Sequence, residues 1–265
     1  SEFDTSSVTD MSYIFSSCTG MTSIDVSVLK TDNVKTMQGL FNECTGLTNI
    51  NLNGINTEQV TNMSKMFYNC TNIQSLDVSN LNTEKVETML YMFWGCSSLL
   101  SIDVSNFKTS RVYEMAGMFW SCNKLTEIKG LEKLDTSIVV TMDMMFGGCN
   151  ELRSLDLSNF KTSNVINMSN MFHNCQNLTS LDLTSFNTEK VEKMNHMFAS
   201  SWRLETIDLS SFNMKNVESM ENMFYGTSML KTIYVGPDWV INEDAITDGM
   251  FEGCGVQEVT LKPGL

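Results

Sequence analysis

An α/β solenoid, built as a single array of about ten units over residues 1–265, is the architecture that this sequence indicates. Three observations support it. All eight cysteines lie three residues after a recurring phenylalanine. Within each unit the apolar period changes from two residues to three or four, which predicts a strand and then a helical segment. The recurring phenylalanines are spaced by 26 residues, apart from two steps of 27, at Phe15, Phe41, Phe67, Phe93, Phe119, Phe146, Phe172, Phe198, Phe224 and Phe251.

The strand of each unit is predicted from a short alternation of apolar and polar residues. In the segment 178–186, Leu181 and Leu183 are expected to face inward while Asp182 between them faces outward. Equivalent strands of successive units should pair in parallel, about 4.8 Å apart, and form one continuous sheet. This pairing would place the aspartates of successive units in a row on the outer face of the sheet.

The second half of each unit is predicted to be a short helix or a set of helical turns. Val191, Met194 and Met197 recur at three-residue steps before Phe198, as on one helical face. A threonine precedes each such run, as Thr188 does here, and is expected to cap the segment by accepting hydrogen bonds from its first free N–H groups.

The two ends of the chain depart from the template. The opening "SEFDTSSV", which contains Phe3, matches "SNFKTSNV" at residues 158–165, so residues 1–14 are expected to be a partial first unit of a longer array. Residues 231–265 contain both prolines and a final strand predicted at Val256, Val259 and Leu261. A degenerate last unit is typical of a capping repeat.

The complete template, LxxLDLSxFxTxxVxxMxxMFxxC, covers essentially the whole chain. Its first part is the leucine-rich-repeat signature, and the whole resembles the 26-residue repeats of the BspA-like family of bacterial surface proteins. The resemblance implies a right-handed superhelix with the parallel sheet on its concave face and short helices or helical turns on the other side. It also implies export or lipid anchoring at the cell surface, and adhesion to host proteins or to other cells.

Composition and motifs exclude several classes of function. A formal net charge of −14 argues against binding to nucleic acid or to an anionic membrane, because both require basic patches. There is no G-x-S-x-G sequence, no phosphate-binding glycine loop and no H-E-x-x-H sequence. We therefore expect neither an enzyme nor a cofactor.

The cysteines are predicted to be small buried thiols. Their position lies within the apolar stripe and accepts Ser201 and Thr227 in two units. Disulfides or a metal site are the alternatives, since stacking brings equivalent cysteines within disulfide range. No C-x-x-C pair exists, and neither His173 nor His196, both expected at the surface, lies at ligand spacing.

The aspartate row is the predicted partner-binding site. It allows three interpretations: a solvated ladder hydrogen-bonded to flanking Ser and Thr, an acidic groove for a protein partner, or a calcium site. Asn51, Lys129 and Tyr234 interrupt the repetition, and Lys129 and Tyr234 would give specificity. The predicted positions are Asp25, Asp77, Asp103, Lys129, Asp156, Asp182, Asp208 and Tyr234.

Two functions follow from this site. In the first, the array is an adhesive module that binds a host matrix or plasma protein, with fibronectin or fibrinogen implied by the family resemblance. In the second, the array is a rigid spacer arm that projects another domain and has no ligand of its own. The near-uniform outer face favours the spacer, whereas the breaks at Lys129 and Tyr234 favour binding.

Overall fold

The chain winds into a parallel β-solenoid in the computed structural model, which describes residues 4–264. Phe3 lies outside the described residues. Within them the only helix is a single 3₁₀ turn at Leu131–Lys133. The strands are β1 (Ser23–Asp25), β2 (Asn49–Asn51), β3 (Ser101–Asp103), β4 (Glu127–Lys129), β5 (Thr206–Leu209), β6 (Thr232–Val235) and β7 (Thr260–Leu261).

Neighbouring strands pair in parallel, as predicted, but the prediction of one continuous sheet is wrong. The strands form three separate sheets: β1 with β2, β3 with β4, and β5 with β6 and β7. Each coil contributes at most four residues to a strand. Where one or two hydrogen bonds between coils are missing, no strand is formed in that coil. Coils remain linked where the sheet is interrupted, since Leu100 N donates to Gln74 O at 3.1 Å and Thr179 N donates to Arg153 O at 3.3 Å.

A second line of contacts on the opposite side of the coil is more regular than the sheets. Nine isolated parallel bridges join equivalent residues of successive coils, from the Asp10–Thr36 pair to the Ser219–Ile246 pair. The bridges lie within each predicted helical segment, as Lys193 does between Val191 and Met194. Backbone N–H and C=O groups at and beside these positions are therefore hydrogen-bonded to neighbouring coils.

The second half of each unit is a train of turns, and the part of the chain that the structure describes has no α-helix there. Alternate N–H groups donate to the next coil, as from Met37 to Asn62 O and from Phe41 to Met66 O. The intervening ones donate three residues back, as from Leu40 to Met37 O. An α-helix requires every N–H to bond four residues back within its own segment. Because every second N–H group donates to a neighbouring coil, it cannot donate within its own segment, and an α-helix cannot form.

Two residues per unit adopt the left-handed conformation that these turns require. They lie two positions before and two positions after the recurring phenylalanine, as Gly39 and Glu43 do around Phe41, with φ of 59° and 58°. A positive φ at the third residue of a turn is the mark of type II geometry. Glycine accepts it at little steric cost, whereas most other residues do not.

The core is a set of identical side chains stacked along the array. The recurring phenylalanines form nine consecutive stacked pairs, with ring centroids 5.5–5.9 Å apart. Leu183, Val191 and Met194, predicted to face inward, are fully buried. The apolar pattern therefore identified the buried residues correctly even where a predicted short helix is absent from the described residues.

The threonine expected to cap a helix instead clamps the next coil. Thr57 Oγ1 accepts from Asn82 N at 2.7 Å and donates to Asn82 O at 2.9 Å. The same pair of bonds recurs at Thr83, Thr136, Thr162 and Thr188. The capping prediction is wrong because no helix follows, so the hydroxyl satisfies backbone groups across the coil interface instead.

The extra residue in the 27-residue step from Phe119 to Phe146 is accommodated by one turn. Gly130 has φ of 79° and is followed by the 3₁₀ turn Leu131–Lys133. A Cβ on Gly130 would lie 2.3 Å from Ser105 Cα of the preceding coil. Glycine is therefore required here on both conformational and steric grounds. The last strand is shorter than predicted: β7 includes Leu261, while Val256 and Val259 are half-buried outside it.

Candidate partner-binding face

The predicted site residues lie together on the strand side of the solenoid, called here the strand face. Pairing places Asp103 beside Lys129 and Asp208 beside Tyr234. The row therefore points outward, as expected, although its last two members, Asp208 and Tyr234, are half-buried. The exposed members are Asp25, Asp77, Asp103, Lys129, Asp156 and Asp182.

Each aspartate of the row closes a turn at the end of its strand segment. Its Oδ1 accepts the backbone N–H of the residue two positions on, at 2.9–3.1 Å. Asp156 and Asp182 also accept the hydroxyls of Ser158 and Thr184, both at 2.6 Å. This is an Asx turn, in which a short carboxylate side chain replaces a backbone acceptor. One oxygen of each carboxylate is thus engaged by the chain itself.

These hydrogen bonds keep the carboxylates ionised. Bonds from the Ser158 hydroxyl and the Ser158 N–H hold the pKa of Asp156 below its usual value, and Thr184 does the same for the pKa of Asp182. Donors that bond the charged form of a carboxylate favour it over the protonated form. At neutral pH the strand face therefore carries a row of fixed negative charges.

The C-terminal end of the row is neutralised by a lysine that the sequence analysis did not identify. Lys262 Nζ lies 2.6 Å from Asp208 Oδ2 and 3.3 Å from Ser210 Oγ. Burial alone would raise the pKa of Asp208, but hydrogen bonds from Lys262 and Ser210 lower it. Lys262 reaches across the coil of Tyr234 to do so. The acidic part of the strand face that is open to a partner is therefore Asp25 to Asp182.

Metal ligands are not assembled on this face. Residues 4–264 contain no group of three or more His, Cys, Asp or Glu side chains that could hold a metal ion. One carboxylate per coil, with one oxygen already bonded to the chain, does not supply the six to eight oxygens that calcium takes.

The cysteines form a ladder of free thiols in the core. Six are buried, whereas Cys18 and Cys254 are half-buried, so the prediction of eight buried thiols is wrong for these two. The physical reason is that both lie near the ends of the described array. Thiols of the inner coils donate to a phenylalanine carbonyl of the preceding coil, as Cys96 Sγ does to Phe67 O at 3.2 Å.

Comparison with known proteins assigns the chain to a family. The family model described as "Mycoplasma protein of unknown function, DUF285" matches residues 1–76, 45–155, 95–202 and 141–261. The chain belongs to the DUF285 family. No curated protein matches it.

Solved structures similar to this DUF285 chain include leucine-rich repeat proteins of bacteria. A leucine-rich repeat protein from Bacteroides ovatus is 17% identical, with a TM-score of 0.56 over 92% of this chain and 67% of that chain. This neighbour confirms the predicted leucine-rich-repeat architecture. Two further structures match more loosely. A leucine rich cell surface protein from Faecalibacterium prausnitzii is 17% identical, with a TM-score of 0.39 over 97% of this chain and 77% of that chain. A T. pallidum leucine rich repeat protein is 20% identical, with a TM-score of 0.36 over 73% of this chain and 69% of that chain.

No helix among residues 4–264 of this DUF285 chain is long and apolar enough to cross a membrane.

A cluster of aromatic side chains on the turn side of the DUF285 array was missed by the sequence analysis. We call it the aromatic band; its members are half-buried. Both histidines belong to it, so neither is fully at the surface as expected. The available signal was the residue directly after the recurring phenylalanine, which is aromatic in several successive units. The members of the band are Tyr68, Tyr91, Trp94, Trp120, His173 and His196.

Proposed function

We propose that this chain is a protein-binding module of a bacterial cell-surface protein, and that its strand face attracts a basic surface on a host matrix or plasma protein. The observation that carries the proposal is the row of exposed carboxylates at equivalent positions of the coils, each with one oxygen held in a turn and the pKa lowered. Repeat solenoids of this kind present extended surfaces to protein partners. Surface location and adhesion rest on the resemblance to BspA-like proteins.

The fixed row suits electrostatic attraction. Neighbouring charges about 5 Å apart repel each other by about 0.8 kcal/mol in water, and a cationic partner relieves that repulsion. Such complementarity raises association rates and excludes acidic partners more than it adds affinity. Lys129, exposed beside Asp103, and Tyr234 are the positions at which the row would discriminate between basic partners.

The test is binding of the immobilised chain to a panel of matrix and plasma proteins that includes fibronectin and fibrinogen. The decisive variant is the triple substitution Asp103→Asn, Asp156→Asn and Asp182→Asn, which removes three charges but keeps an acceptor for each turn. Its matched control is the triple substitution Glu58→Gln, Glu84→Gln and Glu189→Gln. It also removes three exposed charges, each directly after one of the threonines that bond to the next coil. We expect the aspartate variant to lose about tenfold or more in affinity and the control less than about twofold.

Equal losses in the two triple variants would remove the strand face as the binding site. The second candidate function is a spacer arm, which the nine stacked phenylalanine pairs and the near-identical Ser-Asp-Ser outer residues favour. If the unaltered chain binds no protein of the panel, the adhesive proposal fails and the spacer is the better account.

A further inference from the structure

The aromatic band departs from the repetition of the array. The position after the recurring phenylalanine is polar or small in most outer coils, as in Ser16, Asn42 and Ala199, but holds Tyr68, Trp94 and Trp120 in three successive coils. Two of the four tryptophans of the chain are thereby brought into contact. Tryptophan and tyrosine are enriched at the energetic centres of protein interfaces.

The rings of the band stack along the array, so their faces are covered by one another. Trp94 lies between Tyr68 and Trp120, with centroid distances of 5.9 and 5.2 Å. Trp120 in turn stacks on His173 at 5.9 Å. Solvent therefore meets mainly the ring edges, which form an apolar strip. From Tyr68 to His173 it crosses four coil steps, about 19 Å, the length of an extended segment of about six residues.

Two glycines make room for this stacking. A Cβ on Gly147 would lie 2.2 Å from Trp120 Cζ3, and one on Gly117 would lie 2.5 Å from Tyr91 Cδ1. Trp120 can therefore pass over the coil of Gly147 and reach His173. The strip is continuous because the side chains that would interrupt it are absent.

Two carboxylates that form no ion pair within residues 4–264 flank the strip. Glu114 and Asp143, half-buried on the two coils that follow Tyr91, act on the phenol of that residue: burial raises the pKa of Tyr91, and their charges add to the effect. None of the four ion pairs among residues 4–264 uses Glu114 or Asp143. The strip already holds one cation of the chain beside the same tyrosine, since Lys65 Nζ lies 5.6 Å from the Tyr68 centroid and 5.8 Å from that of Tyr91.

We propose that the aromatic band, with Glu114 and Asp143, binds an extended lysine- and arginine-containing segment of a partner protein. Lysine and arginine bury their aliphatic stems on apolar surface and keep the charged head at its edge. This matches an apolar strip bordered by the carboxylates of Glu114 and Asp143, which none of the ion pairs among residues 4–264 uses. A glycan would stack on open ring faces, and here neighbouring rings cover them. This site lies on the turn side, so the proposal does not depend on binding at the strand face.

The test uses capped hexapeptides of alternating Arg and Gly as the probe, alternating Gln and Gly as the neutral probe, and cellohexaose as the glycan probe. Binding is followed by tryptophan fluorescence and calorimetry at low salt. The informative variant is Glu114→Gln with Asp143→Asn, which leaves the stacked rings intact and keeps an acceptor for Thr141 at residue 143. Its charge control is Glu58→Gln with Glu84→Gln. Trp120→Ala and Trp202→Ala compare a tryptophan of the band with an exposed tryptophan outside it.

We expect the Arg-Gly peptide to bind and the neutral peptide to bind at least about tenfold more weakly. The Glu114–Asp143 variant and Trp120→Ala should each weaken binding by about tenfold, while both controls stay within about twofold. Unfolding curves of every variant check that the fold is retained. The inference is overturned by tighter binding of cellohexaose, by no binding at millimolar peptide, or by an unchanged Glu114–Asp143 variant. Loss of peptide binding only in the Asp103–Asp156–Asp182 variant would move the site to the strand face.

Discussion

Replacing Thr83 by valine tests how the coils are held together. The Thr83 side chain is 1% exposed; its hydroxyl accepts from Lys108 N at 2.7 Å and donates to Lys108 O at 3.1 Å. Valine preserves shape and β-branching, so the change removes the hydroxyl and little else. It leaves one N–H and one C=O of the next coil without their partner.

The expected loss follows from those two groups. A buried polar group without a partner costs about 1–3 kcal/mol, and the exposed Lys108 side chain allows some access of water to its backbone. We therefore expect Thr83→Val to lower the free energy of unfolding by about 2–4 kcal/mol. Thr83→Ser keeps the hydroxyl and loses one methyl group, for about 1 kcal/mol. The difference between the two variants isolates the hydroxyl.

Urea unfolding followed by circular dichroism measures both variants, and hydrogen exchange at the Lys108 amide reports the local change. Repeat arrays transmit a defect mainly to neighbouring units, so exchange should quicken at the Thr83–Lys108 interface more than in distant coils. If the valine variant is as stable as the serine variant, or if Lys108 keeps its protection, the threonine ladder does not hold the coils.

Two further predictions concern titration. In the folded chain Ellman's reagent should label no more than two thiols quickly, Cys18 and Cys254, and all eight after denaturation without reductant; burial raises the pKa of Cys175 to about 12 and keeps the inner thiols unreactive. Rapid labelling of more than two, or fewer than eight in denaturant, would contradict the free-thiol ladder. Because the pKa values of Asp156 and Asp182 are lowered on folding, their contribution to stability is complete above the ordinary aspartate value of about 3.9 and is lost as pH falls below it. Urea midpoints measured from pH 7 to pH 2 should decline in acid, less steeply in Asp156→Asn, and a rise in acid would be inconsistent.

The buried set and the stacking of units were predictable because each position has one chemical character throughout the array. Phe119, Met118 and Cys122 are fully buried, as their equivalents in other coils are. A unit with such a stripe cannot bury it alone, so repetition itself predicts neighbours. The outward position of Asp103 followed from simple alternation.

The type of local structure in the second half of each unit could not be read from the same pattern. Apolar residues recur every three or four positions both in a helix and in a train of turns that returns to the core at each turn. The distinguishing signal was conformational. Gly39, Asn69, Gly95 and Gly117 occupy left-handed positions, but Lys65 and Tyr91 occupy the same positions, which conceals the rule. These positions require a positive φ because each is the third residue of a turn closed by a bond to the residue three back, as the bond from Leu40 N to Met37 O closes the turn that contains Gly39.

Long-range partners explain the rest of what sequence reasoning missed. Lys262 neutralises Asp208 from 54 residues away, across an intervening coil. Trp120 meets His173 only because Gly147 leaves its position empty. Neither contact joins equivalent positions of adjacent units, so a reading based on repetition does not produce them.

The two proposed surfaces would serve different parts of recognition. On the strand face Asp77 and Asp103 form one run of neighbouring carboxylates and Asp156 and Asp182 form another, so a basic partner could bind either run with similar energy. The aromatic band occurs once, from Tyr68 to His196, and the carboxylates of Glu114 and Asp143 beside it have no acidic equivalents in the adjoining coils. A repeated charge row increases the rate of encounter, whereas a single apolar strip with two fixed charges selects one register. We therefore expect substitutions in the aromatic band to reduce mainly the discrimination between partners. Substitutions of the aspartates should reduce mainly the association rate.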